Sequence, residues 1–304
     1  MLSAPENPEA LVAATPSLAQ MLWRDSLAVA ALVWLAVVAV ALVAGLTVLR
    51  ESSVSVQLVA RNLAPFDFQR DVLQWLGTDS LGRSVLARLC GAAGPALAVA
   101  FSAVGLSLVL GTGLGLLSGY FGGLAGKVIL RTADMIVGFP TLLLALVVLY
   151  IFGPSVSNLV IVLAVTRMPG YVRLAHAEVM EVRERLFVDA ARALGAGHTR
   201  LILTHILPIV APTLLTLASL NLAMVMLIEA GLSFLGLGIQ PPSMSWGLMV
   251  AQGRAYLAQA WWLTCFPGLA IMLTTMAFNL LASWFRTATD PQQRWRLQPR
   301  GTKT

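Results

Sequence analysis

Few residues of this chain are equipped for chemistry, and most are badly spaced for it. His176, His198 and His205 have no cysteine or carboxylate at ligand spacing, so no metal site is expected. Cys90 and Cys265 stand 175 positions apart in apolar or small-residue surroundings. They form neither a metal motif nor a disulfide framework, and structural filler is the expected role. The turn Gly77–Arg83 offers glycine amides that can hold an anion, but the Gly-x4-Gly-Lys-Ser/Thr pattern of a phosphate loop is absent. Three charged residues remain beside or within apolar stretches. Glu229 is by default a functional candidate, for proton coupling or a substrate path. The alternative is an acid that reaches the membrane interface or pairs with an arginine of another subunit. Asp134 and Arg167 are expected to be interface anchors or an inter-helix pair. No polar groups converge as a catalytic centre requires, and the expectation is that the chain is not an enzyme.

The elements around these residues are those of a membrane protein. Apolar residues make up 58% of the 304 positions and charged residues 11%, with mean hydropathy +0.82. A soluble protein carries roughly a quarter of its residues as charges. The net charge of +6 is dispersed between apolar runs, not gathered into a basic stripe, so nucleic acid is not an expected partner. The composition predicts an all-α membrane protein with six transmembrane helices. Residues 1–22 are expected to be a mobile cytoplasmic tail and 23–50 the first transmembrane helix, built on the charge-free run Leu27–Leu49. Residues 51–95 read as a polar extracytoplasmic or interfacial segment. Residues 96–286 hold five further spans, and 287–304 form a cytoplasmic basic tail.

Within that core the second span is expected at about 96–119. Ser107, Gly111, Gly115 and Gly119 recur every four residues there, a stripe of small side chains that lets another helix approach closely. A third span is expected at about 133–152, kinked at Pro140, and a short fourth at 156–168, distorted at its end by Pro169-Gly170. A fifth opens at Pro208 and Pro212 and reaches Phe234; the sixth covers 263–285. With the N-terminus inside, 13 Lys and Arg fall on inner segments and 6 on outer ones, which predicts cytoplasmic N- and C-termini.

The most informative segment is the charged loop 171–207 between the fourth and fifth spans. Glu178, Glu181, Arg183, Glu184, Arg185, Asp189 and Arg192 favour a solvated helix. Leu186, Phe187, Ala190, Ala191 and Leu194 supply an apolar face at spacings of three and four. Periodicity alone leaves two roles open, a docking helix or a solvated connector.

The residues themselves go further. Asp189-Ala190-Ala191, three residues, Gly195, nine residues and then His205-Ile206-Leu207-Pro208 resembles the EAA loop of ATP-binding-cassette (ABC) importer permeases. The resemblance implies a coupling helix that sits in a groove of an ATP-binding subunit. Two alanines allow close nesting, Gly195 the reversal of the chain, and Pro208 the start of the next helix. Gly77-Thr78-Asp79-Ser80-Leu81-Gly82-Arg83 resembles the GTDxxGR motif of the dipeptide/oligopeptide/nickel group. The run 232–238, followed by Pro241-Pro242 and Ser245-Trp246-Gly247, resembles that group's signature, and Glu229 matches an acid its members carry. The added first span resembles the C-type subunit. Asp189 stands where the family usually has Glu, and Ser84 where the group usually has Asp.

The resemblance implies a type I importer permease core that forms a pore with a homologous permease subunit. Two ATP-binding subunits would bind inside and an extracytoplasmic substrate-binding protein outside, in a bacterial inner membrane. It implies no cofactor of the chain's own, since ATP and Mg would bind the partners. Di- or oligopeptides are the expected cargo, with nickel or glutathione-like solutes as alternatives. A self-sufficient secondary transporter would instead predict inverted repeats and broken helices with ionisable groups at mid-membrane.

Overall fold

The computed structural model describes residues 18–289, and within them the regular structure is helical. The N-terminal tail up to residue 17 and the basic tail from residue 290 lie outside the described residues. A short helix, α1 (Leu18–Arg24), occupies the end of the segment expected as tail. Asp25 then caps α2 (Ser26–Leu46), accepting from the amides of Leu27 at 3.0 Å and Ala28 at 3.3 Å. The 21 residues of α2 span roughly 31 Å, the thickness of a bilayer's hydrocarbon core.

The central helix is α3 (Val85–Phe121), 37 residues long and continuous through Pro95. It begins eleven residues before the expected position, because the charges that suggested a loop are neutralised by one another (see below). Gly122 and Gly123, at φ +61° and +60°, turn the chain into α4 (Gly123–Val137). Next comes α5 (Thr141–Phe152), with Pro140 as its cap. The expected kink at Pro140 is a full break: α4 and α5 meet at 86°. Proline has no N–H to continue the ladder and pushes the residue before it out of the helical region.

Pro169 behaves in the opposite way. The expected distortion after residue 168 is absent, and α6 runs unbroken from Val156 to Arg183. Leu163, Tyr171, Ala175 and Val179 are buried on both sides of the proline. Packing therefore holds the helix where local propensity would end it, as neighbouring helices allow in membrane proteins. The chain continues through α7 (Leu186–Ala193), α8 (His198–Arg200) and a π-helical stretch Leu201–Ile206 into α9 (Leu207–Phe234). Pro208 follows the π-helical stretch directly, so the helical span runs from His198 to Phe234 and begins ten residues before the proline expected to open it. A loop with the short α10 (Trp246–Gly253) leads to α11 (Trp262–Thr289).

Among the described residues five helices are long and apolar enough to cross a bilayer, and the bent α4–α5 pair makes six if it counts as one span. α3 packs against α2, α6 and α9, and α11 against α2, α9 and α10. Burial grades outward: 44% of the apolar window of α6 is buried but only 17% of that of α2. α6 is thus central and α2 peripheral.

Candidate functional site

The small-residue stripe lies where α3 crosses α6. Ser107, Gly111, Gly115 and Gly119 are all buried. A methyl added at Gly111 would lie 2.6 Å from the Cβ of Tyr171, one at Gly115 2.8 Å from the carbonyl of Val172, and one at Gly119 2.8 Å from the Cβ of Val179. Real Cβ atoms do not approach so closely, so the two backbones meet at a distance only glycine permits.

At one end of these helices, α7 is held by few contacts. Val188 is its buried anchor, a residue outside the expected apolar set. Leu186 and Leu194 are 87% and 89% exposed, and Phe187 and Ala190 are exposed too, with Ala191 half-buried. The apolar face of α7 thus points away from the chain. Gly195 ends the helix at φ +86°, in the left-handed region that glycine enters without strain. Asp189 pairs with Arg192 at 3.1 Å on the exposed side. Behind α7 the connection is tied to the end of α3. The Arg183 guanidinium donates to the carbonyls of Gly119 at 2.9 Å and Tyr120 at 3.2 Å. The Tyr120 hydroxyl meets His198 Nδ1 at 2.7 Å, and the Ser118 hydroxyl meets His176 Nδ1 at 3.0 Å. These two histidines are partners of hydroxyls.

At the opposite end, the Gly77–Arg83 turn is organised by one carboxylate. Asp79 is 3% exposed and accepts from the amides of Leu81 and Arg83, both at 2.9 Å. It also accepts from Arg83 Nε at 2.8 Å and from Arg88. Arg88, 5% exposed on the first turns of α3, donates as well to Gln252 Oε1 of α10 at 2.7 Å. Gly77 and Gly82 sit at φ +81° and +76°, and a methyl on Gly82 would collide with the carbonyl of Gln57. Thr78 accepts from the amide of Leu63 at 2.9 Å and donates to the carbonyl of Ala60. Ser84 caps α3 through the amide of Ala87 at 3.1 Å, and its hydroxyl donates to the carbonyl of Leu73. These residues knot the loop onto α3, α10 and the start of α11, where Trp262 Nε1 donates to the Thr78 carbonyl at 3.2 Å. A cavity of about 270 Å³ adjoins the knot, but the charges beside it face one another.

Glu229 lies in α9 and is 2% exposed, so it does not reach an interface. It accepts from the Ser233 hydroxyl at 2.7 Å; Ser233 in turn accepts from the Ile239 amide at 3.1 Å and from Ser245 at 3.3 Å. Its hydrogen-bond partner lies within this chain, one turn further along α9, and is itself bonded to the segment that leads into α10.

Asp134 and Arg167 do not pair. Asp134 is bonded to Arg173 at 2.8 Å, both half-exposed. Arg167 instead lines a cavity of about 340 Å³ with Asn221 of α9 and Thr166.

Comparison with known proteins adds the following. Residues 111–295 match the model of the family described as "Binding-protein-dependent transport system inner membrane component". The chain is 43% identical over 217 residues to a di/tripeptide transport system permease protein of Pseudomonas aeruginosa, a match covering 71% of this chain and 72% of the relative. It is 36% identical over 260 residues to a glutathione transport system permease protein of Pectobacterium atrosepticum, covering 82% and 86% respectively. Among solved structures it resembles a chain of the MetNI methionine ABC transporter in an inward-facing conformation. There the TM-score is 0.53 at 18% identity, covering 66% of this chain and 96% of the other. At that identity the likeness concerns the fold.

Proposed function

The chain belongs to the family of binding-protein-dependent transport system inner membrane components, and on that premise we propose how its parts work. It is the C-type permease subunit of an ABC importer for di- and oligopeptides. It forms the translocation pore with a homologous permease, while two separate subunits bind and hydrolyse ATP with Mg and an extracytoplasmic protein delivers the cargo. The chain itself holds no cofactor and is not an enzyme. It lies in a bacterial cytoplasmic membrane with both termini inside, the side that the excess of Lys and Arg favours.

The observation that carries this proposal is α7. Leu186, at the start of this eight-residue helix, and Leu194, just past its end, lie almost fully exposed, and one buried valine fixes the helix to its own chain. Exposed leucines on a polar connection lose hydrophobic stabilisation unless something covers them, about 1.5–3 kcal/mol for each side chain fully buried. A groove in an ATPase subunit is the cover proposed here. Behind it, α6 is bound to α3 through the glycine stripe, and Arg183 fastens the loop to the last carbonyls of α3. Closure of the two ATPases would displace α7, and that displacement would reach the spans as a rigid-body movement, with little absorbed by bending.

The test is the double substitution Gly195→Arg with Asp189→Lys. An arginine at φ +86° is strained, and a lysine at 189 reverses the charge of the docking face. The expected outcome is normal membrane insertion, loss of the ATPase subunits on co-purification, and no uptake. Retention of those subunits with normal uptake would refute the assignment of α7.

A further inference from the structure

Arg167 is an anomaly that the coupling machinery does not use. It lies eleven residues, roughly 17 Å, from the start of α6, and six residues, roughly 9 Å, from the half-exposed Arg173–Asp134 pair. That places a guanidinium inside the apolar layer, where an unpaired charge is costly. Its Nε is shut off from solvent and has no hydrogen-bond partner. Among the described residues, no acid or carbonyl engages the guanidinium.

Its surroundings suit a ligand. Arg167 and Tyr171 are one turn apart on the same face of α6. Tyr171 is fully buried, and its hydroxyl accepts from Asn221 Nδ2 of α9 at 3.0 Å. This bond fixes α6 against α9, so that Arg167 and Asn221 line the same cavity, together with Thr141, Thr166, Phe139 and Leu217. Its volume of about 340 Å³ falls within the range of small-molecule sites, about 300–1,000 Å³. The lining joins one cationic fork to hydroxyls, an amide and apolar walls. An arginine fork matches a carboxylate in two parallel hydrogen bonds, and threonine and asparagine match a peptide amide.

We propose that Arg167 contacts the cargo: with Asn221 it receives a carboxylate of a small amide-bearing solute within the membrane. This rests on the reading of the chain as a peptide-importer permease. The pairing offsets two costs together, that of a half-buried guanidinium whose Nε is shut off from solvent and that of carrying a carboxylate through a low-dielectric layer.

The experiment uses the whole transporter, with sister permease, ATPases and binding protein, in proteoliposomes supplied with labelled dialanine, glutathione or Ni²⁺. With Arg167→Gln the complex is expected to assemble in wild-type yield and to keep the ATP hydrolysis stimulated by binding protein. Dialanine uptake should fall about tenfold, the scale of one lost charge-assisted contact. Arg167→Lys, which keeps the charge and loses the fork, should raise KM for dialanine several-fold and leave the maximal rate nearly unchanged.

Unchanged uptake by the glutamine variant overturns the proposal. So does loss of the sister permease from that variant but not from the lysine one, since Arg167 would then be pairing with an acid of the sister subunit. Should the glutamine chain fail to accumulate, the lysine variant decides: an unchanged KM overturns the inference. A wild-type complex that takes up glutathione and not dialanine removes the peptide reading alone, and the same tenfold loss is then expected for glutathione. A complex that moves only Ni²⁺, with no carboxylate carried, overturns the inference itself.

Discussion

Arg88 and Arg167 are both arginines of membrane-crossing helices, and their surroundings are opposite. Arg88 is almost wholly buried and donates to Asp79 and Gln252, in a knot whose remaining acceptor positions are filled by backbone amides and Arg83. Arg167 lines a cavity with a buried donor that no described residue accepts. Two charges taken out of water cost several kcal/mol each, and only good geometry with every lone pair used offsets that. Arg88 meets the condition within the chain and is a fastening. Arg167 does not meet it, and a residue left so is free to act on something from outside.

The sharpest break in this comparison comes from removing each arginine in turn. Arg88→Met removes the hydrogen bonds to Asp79 and Gln252, though Arg83 still pairs with Asp79, and is expected to destabilise the fold by about 3 kcal/mol, the scale of two hydrogen bonds to a charged group. Thermal unfolding of the purified complex in lipid nanodiscs would register it as a large drop in Tm. Arg167→Gln breaks no bond among the described residues, so its Tm should stay within about two degrees of wild type, the shift of a ΔΔG well under 1 kcal/mol. Equal losses for the two variants would remove the distinction.

Next in size is Gly115→Leu, which acts on the α3–α6 contact that positions Tyr171 and, through it, Arg167. An added Cβ would meet the Val172 carbonyl at 2.8 Å. Overpacking of this kind costs typically 1–3 kcal/mol, read again as Tm. Uptake is expected to fall with it, because α6 must back away from α3. The smallest effect belongs to the edge of the Arg88 knot. Ser84→Ala removes the cap of α3 and should cost about 1 kcal/mol. Ser84→Asp keeps a capping oxygen but cannot donate to the Leu73 carbonyl as the serine hydroxyl does, so it should recover only part of that loss in the same measurement.

Much of this architecture was legible from residue types alone, and the failures share a cause. Charge-free runs found α2 and α11, and the four-residue repeat of small side chains found the face that meets α6. The charged loop between the fourth and fifth spans contained α7, whose apolar side is turned outward. What could not be read was which charges satisfy one another. Arg88 looked like a loop residue because its partners, Asp79 and Gln252, lie 9 and 164 positions away. Helix α3 therefore starts earlier than the charges suggested. Asp134 and Arg167 were expected to be interface anchors or an inter-helix pair, but Asp134, in α4, meets Arg173 of α6 instead. Pro140 and Pro169 are the same residue with opposite outcomes. Pro169 stands among buried residues of α6, with α3 close against the turns that follow it, while Pro140 joins two segments with little buried surface. Val188 escaped notice because the apolar residues around it outline a stripe that excludes it.

The glycine stripe has a further consequence for motion. Its members are four residues apart, so the side chains of α6 sit along α3 like teeth in notches spaced about 6 Å. Sliding by part of a notch would drive the Tyr171, Ala175 and Val179 side chains into the bulkier residues between the glycines. The two helices can therefore tilt as one bar or disengage altogether, but they have no intermediate gear. A displacement imposed on α6 would therefore reach the far end of α3 undivided or not at all.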